Sequence, residues 1–152
     1  MVVLTIDDDS RLCKPIFTEI FGKGSTWKWS HFEDLDQAWE YLEGAYSSIS
    51  ARPHLIILDV QLQDQEEAGL VLLKRLRRLD SYPPVVMLSV SRAKPIISSS
   101  YRSGARVFVT KPATRGSLKS VVESIAAVWQ EAYNFDDSGR VLQKKRALRK
   151  AL

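Results

Sequence analysis

Leu55-Ile56-Ile57-Leu58-Asp59 constrains this chain more than any other stretch. Four consecutive apolar residues, two of them β-branched, end abruptly in a carboxylate. A run this short without polar alternation predicts a strand buried on both faces, as central strands of parallel sheets are. Asp59 then falls at the carboxyl end of the strand, where open α/β sheets place their ligand crevice. Two other runs end in chemistry of their own. Val2 to Ile6 leads into Asp7-Asp8-Asp9, and Val107 to Thr110 leads into Lys111-Pro112. Three strand ends would bring several acids and one amine to a single rim.

The remaining segments supply the frame. Leu12, Ile16, Phe17, Ile20 and Phe21 share one helical face. Asp9 or Ser10 is placed to cap that helix, and Pro15 to kink or delay it. Thr26 to Phe32 alternates, which predicts a less buried strand at an edge. Leu35, Ala38, Trp39, Leu42 and Tyr46 define a second helix. Leu70, Leu73, Leu76 and Leu79 define a third, Ile96, Ile97 and Tyr101 a weaker fourth, and Leu118, Val122, Ile125 and Trp129 a long fifth. Val85 to Ser89 completes the strands. Five strands alternating with five helices predict an α/β fold, a doubly wound parallel sheet covered on both faces.

Composition narrows the function. The 152 residues suffice for one domain with its own core. Cys13 is the single cysteine, falls among apolar helical positions and reads as a small buried hydrophobe. No disulfide can form within the chain, which suits a reducing compartment. The first residues lead straight into a strand, and no apolar run reaches the roughly 20 residues that span a bilayer. A cytoplasmic location is the expectation. The net charge of +4 does not argue for nucleic acid. Arg140, Lys144, Lys145, Arg146, Arg149 and Lys150 follow Gly139 with no acid among them, leaving residues 1–139 mildly acidic. Residues 1–133 are expected to form the domain, with 134–152 a linker and basic tail. Residues 140–152 read either as a short basic helix with Val141, Leu148 and Leu152 on one side, marginal in isolation, or as a frayed solvated tail.

Phosphoryl transfer to a carboxylate needs an ionised, accessible acid and neutralisation of the added charge, usually by Mg²⁺ and a lysine. Mg²⁺ takes oxygen ligands and only a few protein carboxylates. Asp7 and Asp8 at one strand end and Asp59 at another match that requirement. Lys111 supplies a movable point charge, and Ser89 a hydroxyl. Each residue alone has an ordinary structural explanation, and their joint placement at successive strand ends is what marks a site.

These motifs resemble the receiver domains of bacterial two-component response regulators. "LTIDDDS" is similar to the acidic pair after the first strand, Asp7 and Asp8. "LIILDV" resembles the phosphoacceptor strand with Asp59 as acceptor, "VVMLSV" places Ser89 at a switch hydroxyl, and "VFVTKP" supplies Lys111. The resemblance implies strand order 2-1-3-4-5 and Mg²⁺-dependent phosphorylation of Asp59 by a histidine kinase or phosphotransfer protein. It implies that the backbone carbonyl of Gln61 joins Asp7, Asp8 and Asp59 as a metal ligand, and that the Lys111–Pro112 bond is cis. It also implies a readout in which Ser89 and Phe108 shift together and the face of the fourth helix, fifth strand and fifth helix changes shape. Ile97 and Tyr101 are candidates for that face. Such a domain is a signalling switch and not an enzyme in its own right.

Two features depart from the family pattern. "DVQLQDQEEAG" is about two residues longer than the usual loop and lacks its proline, and Val90 is bulkier than the usual neighbour of Ser89. Single-domain receivers that serve phytochrome-type kinases pair through the last helix, and Trp129 and Tyr133 suggest a homodimer of that kind. Only a short tail follows the domain, so a stand-alone receiver is the first expectation. The alternatives are a receiver from a longer transcription regulator or hybrid kinase, and a haloacid-dehalogenase-like phosphatase. The last requires a general acid two residues after the nucleophile, and Gln61 cannot serve.

Overall fold

The computed structural model describes residues 1–79, 81–135 and 141–144. Strands β1 (Val2–Ile6), β2 (Lys28–Phe32), β3 (Leu55–Asp59), β4 (Val85–Ser89) and β5 (Val107–Thr110) form one parallel sheet in the order β2-β1-β3-β4-β5. The expected doubly wound architecture is the one observed. Every residue of β1, β3 and β4 is buried, whereas β2 and β5 at the edges are only partly covered.

Period-two alternation divides each central strand between two cores. Leu55 and Ile57 pack with Ile16, Phe17, Val122 and Trp129, on the side of α1 (Cys13–Phe21) and α5 (Arg115–Ala132). Ile56 and Leu58 pack with Leu42, Leu70 and Leu73, on the side of α2 (Leu35–Tyr46) and α3 (Ala68–Leu76). Ile96 of α4 (Lys94–Arg102) joins this second core. Truncating one of these fully buried leucines to alanine typically costs about 2–5 kcal/mol. Cys13 is fully buried, as its surroundings required. Trp129, at 3 % exposure, belongs to the core and is not available as a dimer contact.

Three local expectations are corrected. Helix α1 begins at Cys13, with Pro15 in its first turn, where a missing N–H is tolerated. Asp9 does not cap it directly. Its Oδ1 accepts the Arg11 and Leu12 N–H groups at 3.1 and 2.8 Å, a turn that precedes the helix. Strand β2 starts at Lys28, two residues after the alternation does. Val141–Lys144 is a strand (β7) paired antiparallel with Tyr133–Phe135 (β6), not part of a helix. A short solitary helix lacks the packing that would stabilise it, whereas pairing satisfies the backbone. The rest of the expected linker and tail, 136–140 and 145–152, lies outside the described residues.

The chain's two histidines are held neutral by the fold. His31 Nδ1 lies 2.9 Å from the hydroxyl of fully buried Thr5, which also accepts a hydrogen bond from Trp29 Nε1. His54 Nδ1 accepts the Val2 N–H at 3.0 Å. Burial first, then the nearby Lys14 ammonium, lowers the His31 pKa. Burial and the N-terminal ammonium lower that of His54. The unfolded chain therefore binds more protons near the ordinary histidine pKa of about 6.5. Their stabilising contribution is complete above that pH and is lost as pH falls through the depressed folded values. Urea titrations should show a pH dependence across this window that is flatter in His31→Gln. An identical dependence in both proteins would refute the assignment.

Candidate functional site

The strand order reverses between β1 and β3, and the site is built at their carboxyl ends. Asp7 follows β1 directly. Its N–H is held by the Phe32 carbonyl at 3.0 Å, its Oδ1 accepts the Asp9 N–H at 2.9 Å, and it is 1 % exposed. Asp59 ends β3 with Oδ1 accepting the Gln61 N–H at 3.1 Å. Lys111 follows β5, its N–H donating to the Ser89 carbonyl at 2.7 Å. Its Nζ reaches Asp59 Oδ2 at 2.5 Å and Asp7 Oδ2 at 2.8 Å. The three converge because parallel strands present their carboxyl ends on one rim.

Burial dominates the electrostatics. It pushes the Asp59 carboxyl up to about 6, with Lys111 opposing and Asp7 reinforcing the shift. Burial also works against the Lys111 ammonium, but Asp7 and Asp59 outweigh it and hold lysine above its usual range. Asp59 is thus a carboxylate at neutral pH, though a desolvated one.

Asp8 is exposed and completes the acidic set. Asp7, Asp8 and Asp59 each present an oxygen within 4.8 Å of the others. Asp7 Oδ2 is buried and, despite its ion pair with Lys111, has no donor in hydrogen-bonding geometry. An oxygen so placed, among hard carboxylate donors, fits a small divalent cation.

Other expected residues are placed as follows. Ser89 ends β4, is 2 % exposed, and its Oγ accepts the Ser91 N–H at 3.2 Å. Phe108 lies on β5, half-buried against the α3 side core, and its N–H donates to the Tyr101 hydroxyl at 3.2 Å. Gln61 meets Asp59 through its N–H. Val90 is 68 % exposed. The Lys111–Pro112 peptide is trans, correcting the cis bond that the resemblance implied. The tertiary amide leaves only a small trans–cis difference, and here Lys111 is anchored at both its N–H and its Nζ with the bond trans.

Two residues escaped the sequence reading. Gln63 donates its N–H to Asp8 Oδ2 and its side-chain amide to Asp34 Oδ2, both at 2.8 Å. The long loop thus folds back over the acids through a Leu62–Gln65 bridge, with Gln63 and Asp64 at positive φ. Gly69 is the second, since a Cβ there would stand 1.9 Å from the Asp59 carbonyl oxygen. The loop's unusual length was the visible signal, but not which carboxylate it would reach.

A family model described as the response regulator receiver domain matches residues 3–123. The chain belongs to that family. This receiver is 31 % identical over 142 residues to the uncharacterized transcriptional regulatory protein YkoG of Bacillus subtilis (strain 168), covering 92 % of this chain and 56 % of that protein. It is 26 % identical over 123 residues to the transcriptional regulatory protein CiaR of Streptococcus pneumoniae, covering 81 % and 50 %. The chain therefore spans about half the length of these relatives. The Mn²⁺-bound form of response regulator Rcp1 superposes with a TM-score of 0.74 at 24 % identity, covering 89 % of this chain and 98 % of that one. The phosphorylated cyanobacterial phytochrome response regulator RcpA does so at 0.70 and 24 %, covering 93 % and 98 %. These two show the fold. The receiver is a signalling domain of two-component systems, not a haloacid-dehalogenase-like phosphatase. Among the described residues, no helix is long and apolar enough to cross a membrane.

Proposed function

We propose that Asp59 accepts a phosphoryl group from a histidine kinase or phosphotransfer protein, with Mg²⁺, and that this switches a protein-binding face on α4, β5 and α5. The observation that carries the reading is the buried Asp7–Lys111–Asp59 ion pair set beside Asp8. Solved relatives described as Mn²⁺-bound and as phosphorylated support it. Asp7, Asp8, Asp59 and the Gln61 carbonyl would hold Mg²⁺, which supplies charge neutralisation where phosphate oxygens gather. Asp59, ionised above about pH 6, offers a carboxylate oxygen to the phosphorus as the bond to the donor nitrogen breaks. Lys111 must release Asp59 Oδ2 and follow a phosphoryl oxygen with the same ammonium. Ser89 gives up its contact with the Ser91 N–H to donate its hydroxyl, and Phe108 moves with it.

Residues 1–133 act as the receiver and 134–152 as linker and tail, in the cytoplasm. A homodimer would have to use surfaces other than Trp129. Incubation with a small phosphodonor and Mg²⁺, followed by intact mass measurement, tests the assignment. One phosphoryl group should be gained by the parent and none by Asp59→Asn. A gain that survives this substitution, or no gain in the parent, would overturn it.

A further inference from the structure

Charge is segregated along this chain. No Asp or Glu occurs between Ser81 and Val122, while seven Lys and Arg residues do, and thirteen of the eighteen acids precede Ala68. Three of the seven are already engaged. Lys111 lies in the site, and Arg115 and Lys119 both pair with Glu19 on α1. The other four, Arg92, Lys94, Arg102 and Arg106, are exposed, and none has a salt bridge among the described residues. They lie just before, on and just after α4, next to the edge strand β5.

Apolar groups lie among these charges. Val90 and Tyr101 are 68 % and 50 % exposed, and Ile97 is half-buried. Tyr101 is fixed there by the hydrogen bond from the Phe108 N–H. Arg77 of the α3 end donates to the Arg102 carbonyl at 2.8 Å, which adds another guanidinium to the same surface.

We propose that this α4–β5 face docks an acidic protein segment with apolar anchors. The proposal rests on the switching-face reading above and names the partner's chemistry. Three arguments support it. Guanidinium groups pair carboxylates bidentately, and tyrosine and arginine are the residues that dominate protein interfaces. A phosphate backbone would be met by cations alone and has no use for exposed valine and tyrosine between them. A second copy of the same face would set arginine against arginine, with no acid between Val90 and Thr110 to compensate, so two-fold pairing across it is disfavoured.

The probe is a labelled synthetic peptide of glutamates with leucines at helical spacing, tested on the full, unmodified chain by fluorescence anisotropy. A lysine–leucine counterpart and a DNA duplex run alongside. The acidic peptide should bind, weaken as salt rises, and lose about tenfold or more in affinity in Arg102→Glu/Arg106→Glu. Arg92→Glu/Lys94→Glu, which places acids near the α4 N-terminus where they favour the helix, should lose affinity similarly. Parental affinity in both double variants, tighter binding of the duplex, or self-association that the variants abolish would each overturn the proposal. Phosphoacceptance, read by intact mass, separates the two readings. A chain that binds the peptide but takes no phosphoryl group refutes the role of Asp59. A chain that is phosphorylated but does not bind refutes the acidic partner.

Discussion

Replacing Lys111 by methionine will destabilise the protein by about 3–5 kcal/mol when no divalent cation is present, and added Mg²⁺ will restore part of that loss. Among the described residues, the ammonium is the only cation touching two carboxylates that are 1 % and 7 % exposed. Removing one partner from a buried ion pair leaves the other charge uncompensated, and losses of that size are usual. Asp59 can relieve part of the cost by taking a proton, since burial has already pushed its carboxyl up to about 6. In a chain of this length the loss amounts to a midpoint roughly 10 °C lower. A cation bound only by the folded state raises stability by mass action, so thermal melts with chelator and with Mg²⁺ should differ more for the variant than for the parent. Lys111→Arg should not substitute, because a planar guanidinium cannot occupy the compact position between Asp7 and Asp59. Unchanged melting of Lys111→Met in chelator would show that the ammonium does not neutralise this site.

Gly69→Ala will cost about 3 kcal/mol or more and will weaken the site with it. A Cβ at this position would lie 1.9 Å from the Asp59 carbonyl oxygen and 2.9 Å from both the Asp59 carbonyl carbon and the Val60 Cα. All three are backbone atoms, so no side chain can swing away. Either the start of α3 moves outward or β3 is pushed. The Gly69 N–H also bonds the Val60 carbonyl at 2.8 Å, which ties the two segments together at the same point. Overpacking of this kind commonly costs 1–3 kcal/mol and occasionally more. A clash against backbone belongs at the upper end. Because the displaced atoms belong to Asp59 and its neighbour, phosphoacceptance should fall further than stability alone explains. The check is to compare phosphorylation rates at a temperature where circular dichroism shows the variant fully folded. A parental rate there would separate Gly69 from the site.

The architecture and the gathering of Asp7, Asp59 and Lys111 at one rim were legible because both follow from local rules. The apolar runs ending in Asp59 and Asp7 read as central strands, the run ending at Lys111 as a further strand of the same sheet, and parallel strands share one carboxyl rim. Charge counting was less informative. Calling residues 1–139 mildly acidic averaged an acid-rich beginning with an acid-free basic segment from Ser81 to Val122. Which of those cations remain unpaired depends on α1 lying beside α5, where Glu19 meets Arg115 and Lys119.

By itself, then, the order of residues determined the strands, the two-sided burial and the acids and amine at one edge, since side-chain periodicity and short-range sterics act within a few residues. Only the tertiary structure decided that Lys111 bridges Asp7 and Asp59, that Gln63 closes on Asp8, that Trp129 is core and that the Lys111–Pro112 bond is trans. Those outcomes depend on distances between segments far apart in the chain, and such distances are set by how the helices pack on the sheet, which no local pattern encodes.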